Sequence, residues 1–103
     1  MTEVVVLAWL DFASTQDRDR WVAAYPTRET LDEPGCVSHR VAADPDSATA
    51  AIAYGHFADA DAGQAHVKTE HMARFQALTR ECQPRDKTIT RLAARTLRDG
   101  EKV

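Results

Sequence analysis

The sequence predicts a single α+β domain of order β-α-β-β-α-β, and three observations carry that expectation. The run Val4 to Leu10 is continuously apolar and of strand length, which suggests burial on both faces. Two helical stretches, each opened by a residue able to cap, flank two short strands joined by Asp44-Pro45-Asp46-Ser47. The chain has 103 residues, enough for one compact core and too few for two.

After the first strand, Ser14 is placed to cap a helix, with Asp17 in its first turn where a carboxylate favours the positive helix end. Pro26 has no amide hydrogen and crowds the carbonyl of Val22, so it kinks the helix and opens a second segment running to Leu31 or Asp32. Glu33-Pro34-Gly35 closes it. Cys36 to Ala43 then alternates, with Cys36, Ser38, Arg40 and Ala42 on one side and Val37, His39 and Val41 on the other. Thr49 to Phe57 forms the third strand, setting Ile52, Tyr54 and His56 against Ala51, Ala53, Gly55 and Phe57. Asp59 caps a helix from Ala60 to Val67, and Thr69 caps its continuation from Glu70 to Gln83, which Pro84 stops. Met72, Phe75, Leu78 or Thr79, and Cys82 fall at helical spacing and form the buried stripe of that segment. Lys87 to Thr96 is the last strand; Ile89 and Leu92 have opposite parity there, which calls for a bulge or burial on both sides.

This order is the ferredoxin-like, split β-α-β arrangement, with both helical layers on one face of an antiparallel sheet. Strands that are apolar at both parities cannot leave the other face in water without exposing several hundred Å² of hydrocarbon. A second copy packed sheet against sheet removes that exposure, so a homodimer is expected. The domain is expected to span residues 1–97, with 98–103 as a loosely ordered tail.

Composition excludes several functions. The net charge is -3 with basic residues scattered among acids, so the concentrated basic face that nucleic acid requires is absent from the pattern. The N-terminal apolar run is cut by Asp11 and is too short for a signal peptide or membrane span, so no membrane partner is expected. Cys36 and Cys82 form no CxxC pair and read as reduced thiols of a cytoplasmic protein. There is no GxGxxG, no P-loop and no nucleophile elbow, which argues against nucleotide cofactors and a serine triad.

The stretch from Leu31 to Leu78 resembles the antibiotic biosynthesis monooxygenase family. The matching residues are Glu33-Pro34-Gly35-Cys36, the Asp44-Pro45-Asp46 turn, the strand ending Phe57-Ala58-Asp59, Ala65-His66, and Glu70-His71-Met72-Ala73-Arg74-Phe75. Phe57 stands where that family usually has tryptophan, and Gly55 where it usually has glutamate. The resemblance implies a dimeric α+β barrel that oxygenates aromatic polyketides or quinols with dioxygen, using no metal, flavin or other cofactor. It also leaves room for a non-catalytic small-molecule-binding barrel or a haem-binding or haem-degrading relative.

Histidines titrate near neutral pH and are the natural general bases. His66, His56 and His39 are the catalytic candidates, His66 because related sequences carry a histidine or aromatic facing the pocket at that slot. His39 and His56 sit on neighbouring strands, and strand parity decides which of them enters a cavity. His66 and His71 are five apart, about 140° around one helix, so they are not expected to form a metal pair, and His71 is expected to pack beside Phe75. Trp9, Tyr54 and Phe57, with Trp21, Tyr25, Met72 and Phe75 from the helices, are the candidate walls for a planar substrate. Arg40 and Arg91 are candidates for holding an anion.

Overall fold

The computed structural model describes residues 2–95. The element order is β1 (Glu3–Asp11), α1 (Thr15–Ala24), α2 (Thr27–Leu31), β2 (Cys36–Ala43), β3 (Ala50–Phe57), α3 (Ala60–Val67), α4 (Glu70–Cys82) and β4 (Asp86–Ala94). All strands are antiparallel, in the sheet order β2-β3-β1-β4. This is the ferredoxin-like α+β fold, and the expected tail lies outside the described residues.

The helix starts are set by the expected caps. Ser14 Oγ accepts from the Asp17 amide at 3.1 Å, Asp59 Oδ1 from Ala62 at 2.8 Å and Thr69 Oγ1 from Met72 at 3.3 Å. Pro26 separates α1 from α2, and Gln83 ends α4 in the left-handed region at φ 48°, one residue before Pro84. In the hairpin, Asp44 Oδ1 accepts from the Asp46 amide, the Asx turn that composition implied.

Register assigns the two sheet faces. Val4, Val6, Ala8 and Leu10 of β1 stand beside Phe57, Gly55, Ala53 and Ala51 of β3, and this row faces the helices. Leu10, Ala51 and Ala53 join Phe12, Trp21, Met72, Phe75 and Cys82 in the core. The opposite face carries Val5, Leu7, Trp9, Ile52, Tyr54 and His56. Small residues on β3 let Trp21 and Phe75 approach the sheet, their rings 5.2 Å apart.

Two strand expectations need correction. β2 carries a bulge between Cys36 and Ser38, so Cys36 pairs with Phe57 while Ser38 pairs with His56; Cys36 therefore leaves the side it was expected to share with Ser38, Arg40 and Ala42. In β4 the register against β1 is unbroken and the strand is an exposed sheet edge, with Ile89 47% and Leu92 50% accessible. Their opposite parity reflects neither a bulge nor burial within this chain, because the helical layer stops short of β4.

Candidate active site

Between the sheet and α3 lies a cavity of about 420 Å³. Its floor is Val4, Val6 and Ala8 of β1 with Ala53, Gly55 and Phe57 of β3. Its polar groups are His39, His66, Gln64, Tyr25 and, on the edge strand, Arg91. Such a mostly apolar hollow with few polar groups is the usual form of a small-molecule site.

The turn before β2 builds one wall. Glu33-Pro34-Gly35-Cys36 is a type II turn, with Cys36 N–H donating to Glu33 O at 3.2 Å and Gly35 at φ +83°. Glycine is required there twice over, since a Cβ would also lie 2.6 Å from the Ala62 Cβ of α3. That close approach, with the Ala58 amide donating to Gly35 O at 2.7 Å, brings the turn against the start of α3. Glu33 is thereby delivered to His66, one turn beyond Ala62 on α3.

Glu33 is the residue that sequence reasoning left in a turn. Its carboxylate is 9% exposed, and both oxygens lie within 3.0 Å of His66 Nδ1, at 2.9 and 3.0 Å. Oε2 also lies 2.6 Å from His71 Nε2. A carboxylate accepts, so the ring nitrogens facing it carry the protons. For neutral His66 this fixes the Nδ1–H tautomer and leaves Nε2 with its lone pair, and among the described residues no protein group bonds that nitrogen. His66 itself is 7% exposed and stacks at 5.1 Å on Phe57. His66 and His71 were expected to diverge around one helix. They lie instead on α3 and α4, separated by the break at Lys68-Thr69, and their rings converge to 6.5 Å on either side of Glu33.

His39 enters the same cavity from β2, its ring 4.7 Å from Tyr25 and 6.4 Å from His66. Its Nδ1 is buried without a hydrogen-bond partner among the described residues. Burial, and then the neighbouring His66, push its pKa down from 6.5 to about 4 despite Glu33 nearby. His39 is thus neutral at pH 7 and a weak base. Burial, and then the charge of Glu33, hold the Tyr25 phenol above its ordinary pKa, so it stays protonated.

Of the residues singled out from sequence, His39, His66, Tyr25, Phe57 and, on the edge strand, Arg91 meet in this cavity. Trp21, Met72 and Phe75 are buried in the adjoining core, with Trp21 Nε1 donating to Thr79 Oγ1 at 2.9 Å. Trp9, Tyr54, His56 and Arg40 belong to the sheet face turned away from it. There Trp9 Nε1 donates to Asp44 Oδ2 at 3.0 Å, and His56 Nε2 lies 2.8 Å from Glu3 Oε1. Parity alone parts His39 from His56, and Trp9 and Tyr54 from His66. The two positions where sequence departs from the resembled pattern are coupled, since a Cβ at Gly55 would sit 2.9 Å from the Phe57 ring.

The family profile described as antibiotic biosynthesis monooxygenase matches residues 4–78. A candidate antibiotic biosynthesis monooxygenase from Nitrosomonas europaea is similar in fold, with TM-score 0.81, 14% identity and coverage of 89% of each chain. Rv0793 from Mycobacterium tuberculosis gives TM-score 0.79 at 21% identity, over 91% of this chain and 96% of that one. A protein of the same description from Deinococcus radiodurans gives 0.81 at 16% identity, over 96% and 99%. Among curated proteins, none matches this sequence.

Proposed function

Because the chain belongs to the antibiotic biosynthesis monooxygenase family, we propose that it oxygenates a hydroquinone- or phenol-type aromatic substrate with dioxygen, without flavin or metal taking part in the oxygen chemistry. The observation that carries this reading is the Glu33-His66 pair in the wall of an apolar cavity: a base oriented by a buried carboxylate beside a space for a planar ring.

In this reading His66 Nε2 takes a proton from the substrate hydroxyl, or from the activated carbon of an anthrone, and Glu33 stabilises the imidazolium at Nδ1. The carbanion-like anion passes one electron to dioxygen, and the radical pair joins at carbon as a peroxide. Cleavage of the O–O bond releases hydroxide, which collects the proton from His66 and leaves as water. For a hydroquinone the sum is hydroquinone plus dioxygen giving hydroxyquinone plus water, so the substrate supplies all the electrons. His39, neutral and with an unpartnered Nδ1, offers a hydrogen-bonding group for a substrate oxygen. Phe57 and the apolar floor exclude water from the anion.

Purified protein, treated with chelator and incubated with hydroquinones and anthrones under oxygen, tests the proposal by oxygen uptake. Turnover is expected, with kcat falling about 10²- to 10⁴-fold in Glu33→Gln, the usual worth of positioned acid-base catalysis. Ligand binding with no oxygen uptake across the series would replace this reading with that of a non-catalytic binding protein.

The open sheet face supports a homodimer. Leu7, 37% exposed, and Leu92, 50% exposed, share it with Trp9, Ile52 and Tyr54, more hydrocarbon than a lone chain usually leaves in water. Free Cys36 and Cys82 suit a reducing compartment, and we place the protein in the cytoplasm. Among the described residues, no helix is long and apolar enough to cross a membrane.

A further inference from the structure

We infer that Glu33, His66 and His71 together form a binding site for one zinc-like divalent cation. The three side chains come from the turn before β2, from α3 and from the first turn of α4. They offer a carboxylate oxygen, His66 Nδ1 and His71 Nε2, all within 4.8 Å of one another. Two imidazoles and one carboxylate are the ligand set that borderline-soft first-row cations prefer over calcium or magnesium.

The charge on Glu33 also calls for a cation. Glu33 is 9% exposed, yet among the described residues its ion-pair partners are the two histidines, with neither lysine nor arginine in reach. Buried carboxylates are paired with cations or coordinate metals, because an uncompensated buried charge is costly. Hydrogen bonds from the two imidazoles satisfy the lone pairs of Glu33 without supplying a fixed positive charge. A dication outweighs the Glu33 charge by one unit, and its open fourth position can take a hydroxide or other anion that balances the remainder.

The geometry asks for little movement. Zinc sits about 2.1 Å from nitrogen and oxygen, which sets tetrahedral ligands roughly 3.4 Å apart. Glu33 Oε2 is 2.6 Å from His71 Nε2 and 2.9 Å from His66 Nδ1, so these two pairs open by under about 1 Å, while the two nitrogens, within 4.8 Å of each other, close by at most about 1.4 Å. Each ring shifts its proton to the other nitrogen as the metal takes the lone pair facing Glu33, so no net proton is lost. For His66 that proton arrives on Nε2. If the reading under Proposed function holds, the loaded chain loses its Glu33-oriented base, and zinc turns the reaction off.

The test is equilibrium dialysis of the chelator-stripped full chain against zinc, with cobalt as a spectroscopic probe. One zinc per chain is expected, with visible cobalt bands of a four-coordinate N/O site. Glu33→Gln and His71→Gln should each weaken zinc binding at least tenfold, while His56→Ala, on the far sheet face, should leave it unchanged. Circular dichroism identifies a variant that fails to fold, and His71→Gln, at the more exposed ligand, remains decisive if Glu33→Gln does fail. Absence of stoichiometric zinc, or affinity unmoved in a folded His71→Gln, overturns the inference. Dialysis reads the cation without turnover, so a chain that binds zinc at this triad and oxygenates nothing upholds the inference while refuting the catalytic proposal. Turnover unaffected by zinc, with no zinc bound, does the reverse.

Discussion

Replacing His39 by phenylalanine should flatten the acid limb of the stability profile. The folded chain holds the His39 pKa at about 4, against 6.5 for the free side chain, because protonation would put a charge in a largely apolar pocket beside His66. The folded pKa is depressed, so the unfolded state binds the proton first. The contribution from neutral His39 is therefore fully present above pH 6.5, shrinks as pH falls from 6.5 towards 4, and is gone below that. At about 1.4 kcal/mol per pH unit the whole window is worth roughly 3 kcal/mol. The ring is only partly withdrawn from water, and screening reduces this to about 1–2 kcal/mol, most of it lost between pH 6.5 and 5. Urea unfolding of wild type and His39→Phe at pH 7.5 and pH 5 measures it. Phenylalanine keeps a flat ring against Tyr25, 4.7 Å away, and removes the unpartnered Nδ1. The difference between the two proteins should therefore change by about 1–2 kcal/mol across that interval, wild type losing more on acidification. Identical pH slopes would show that the ring is not held neutral by its surroundings.

Three further outcomes are expected. Gly55→Ala places a methyl group 2.9 Å from the Phe57 ring, which is 2% exposed and cannot swing out, so urea unfolding should register a loss of about 1–3 kcal/mol. Gly35→Ala combines a positive φ with a contact of 2.6 Å to Ala62, costs about 2–4 kcal/mol, and should break the Glu33–His66 hydrogen bond seen by imidazole nitrogen NMR. Leu7→Lys on the open sheet face should turn a dimer into a monomer in sedimentation equilibrium without changing far-ultraviolet circular dichroism, and a wild type that sediments as a single chain removes the dimer proposal.

Much of the architecture is written locally. Ser14, Asp59 and Thr69 announce the helix starts because each hydroxyl or carboxylate satisfies an amide two or three residues ahead. Pro26 and Pro84 mark breaks because a missing N–H acts wherever the residue stands. The bulge at Cys36–Ser38 was not visible in the same way: it answers to the pairing of β2 with β3, and alternation within one strand carries no record of its partner. The exposed β4 edge is likewise a matter of how far the helices extend over the sheet.

The site divides along the same line. Local patterns are enough to put His66 on a short capped helix, an EPG turn before β2, and the alternate residues of β1 and β3 into two sets. Which set faces the helices follows from packing across the sheet, and with it that His39 shares a cavity with His66 while His56, Trp9 and Tyr54 lie on the far face. Tertiary packing alone brings Glu33 between His66 and His71, residues 33 and 38 positions away in the chain. The physical reason is that capping, proline geometry and periodicity act over a few residues. The meeting of a turn with two helices depends instead on the packing of Gly35 against Ala62, a contact no local pattern specifies.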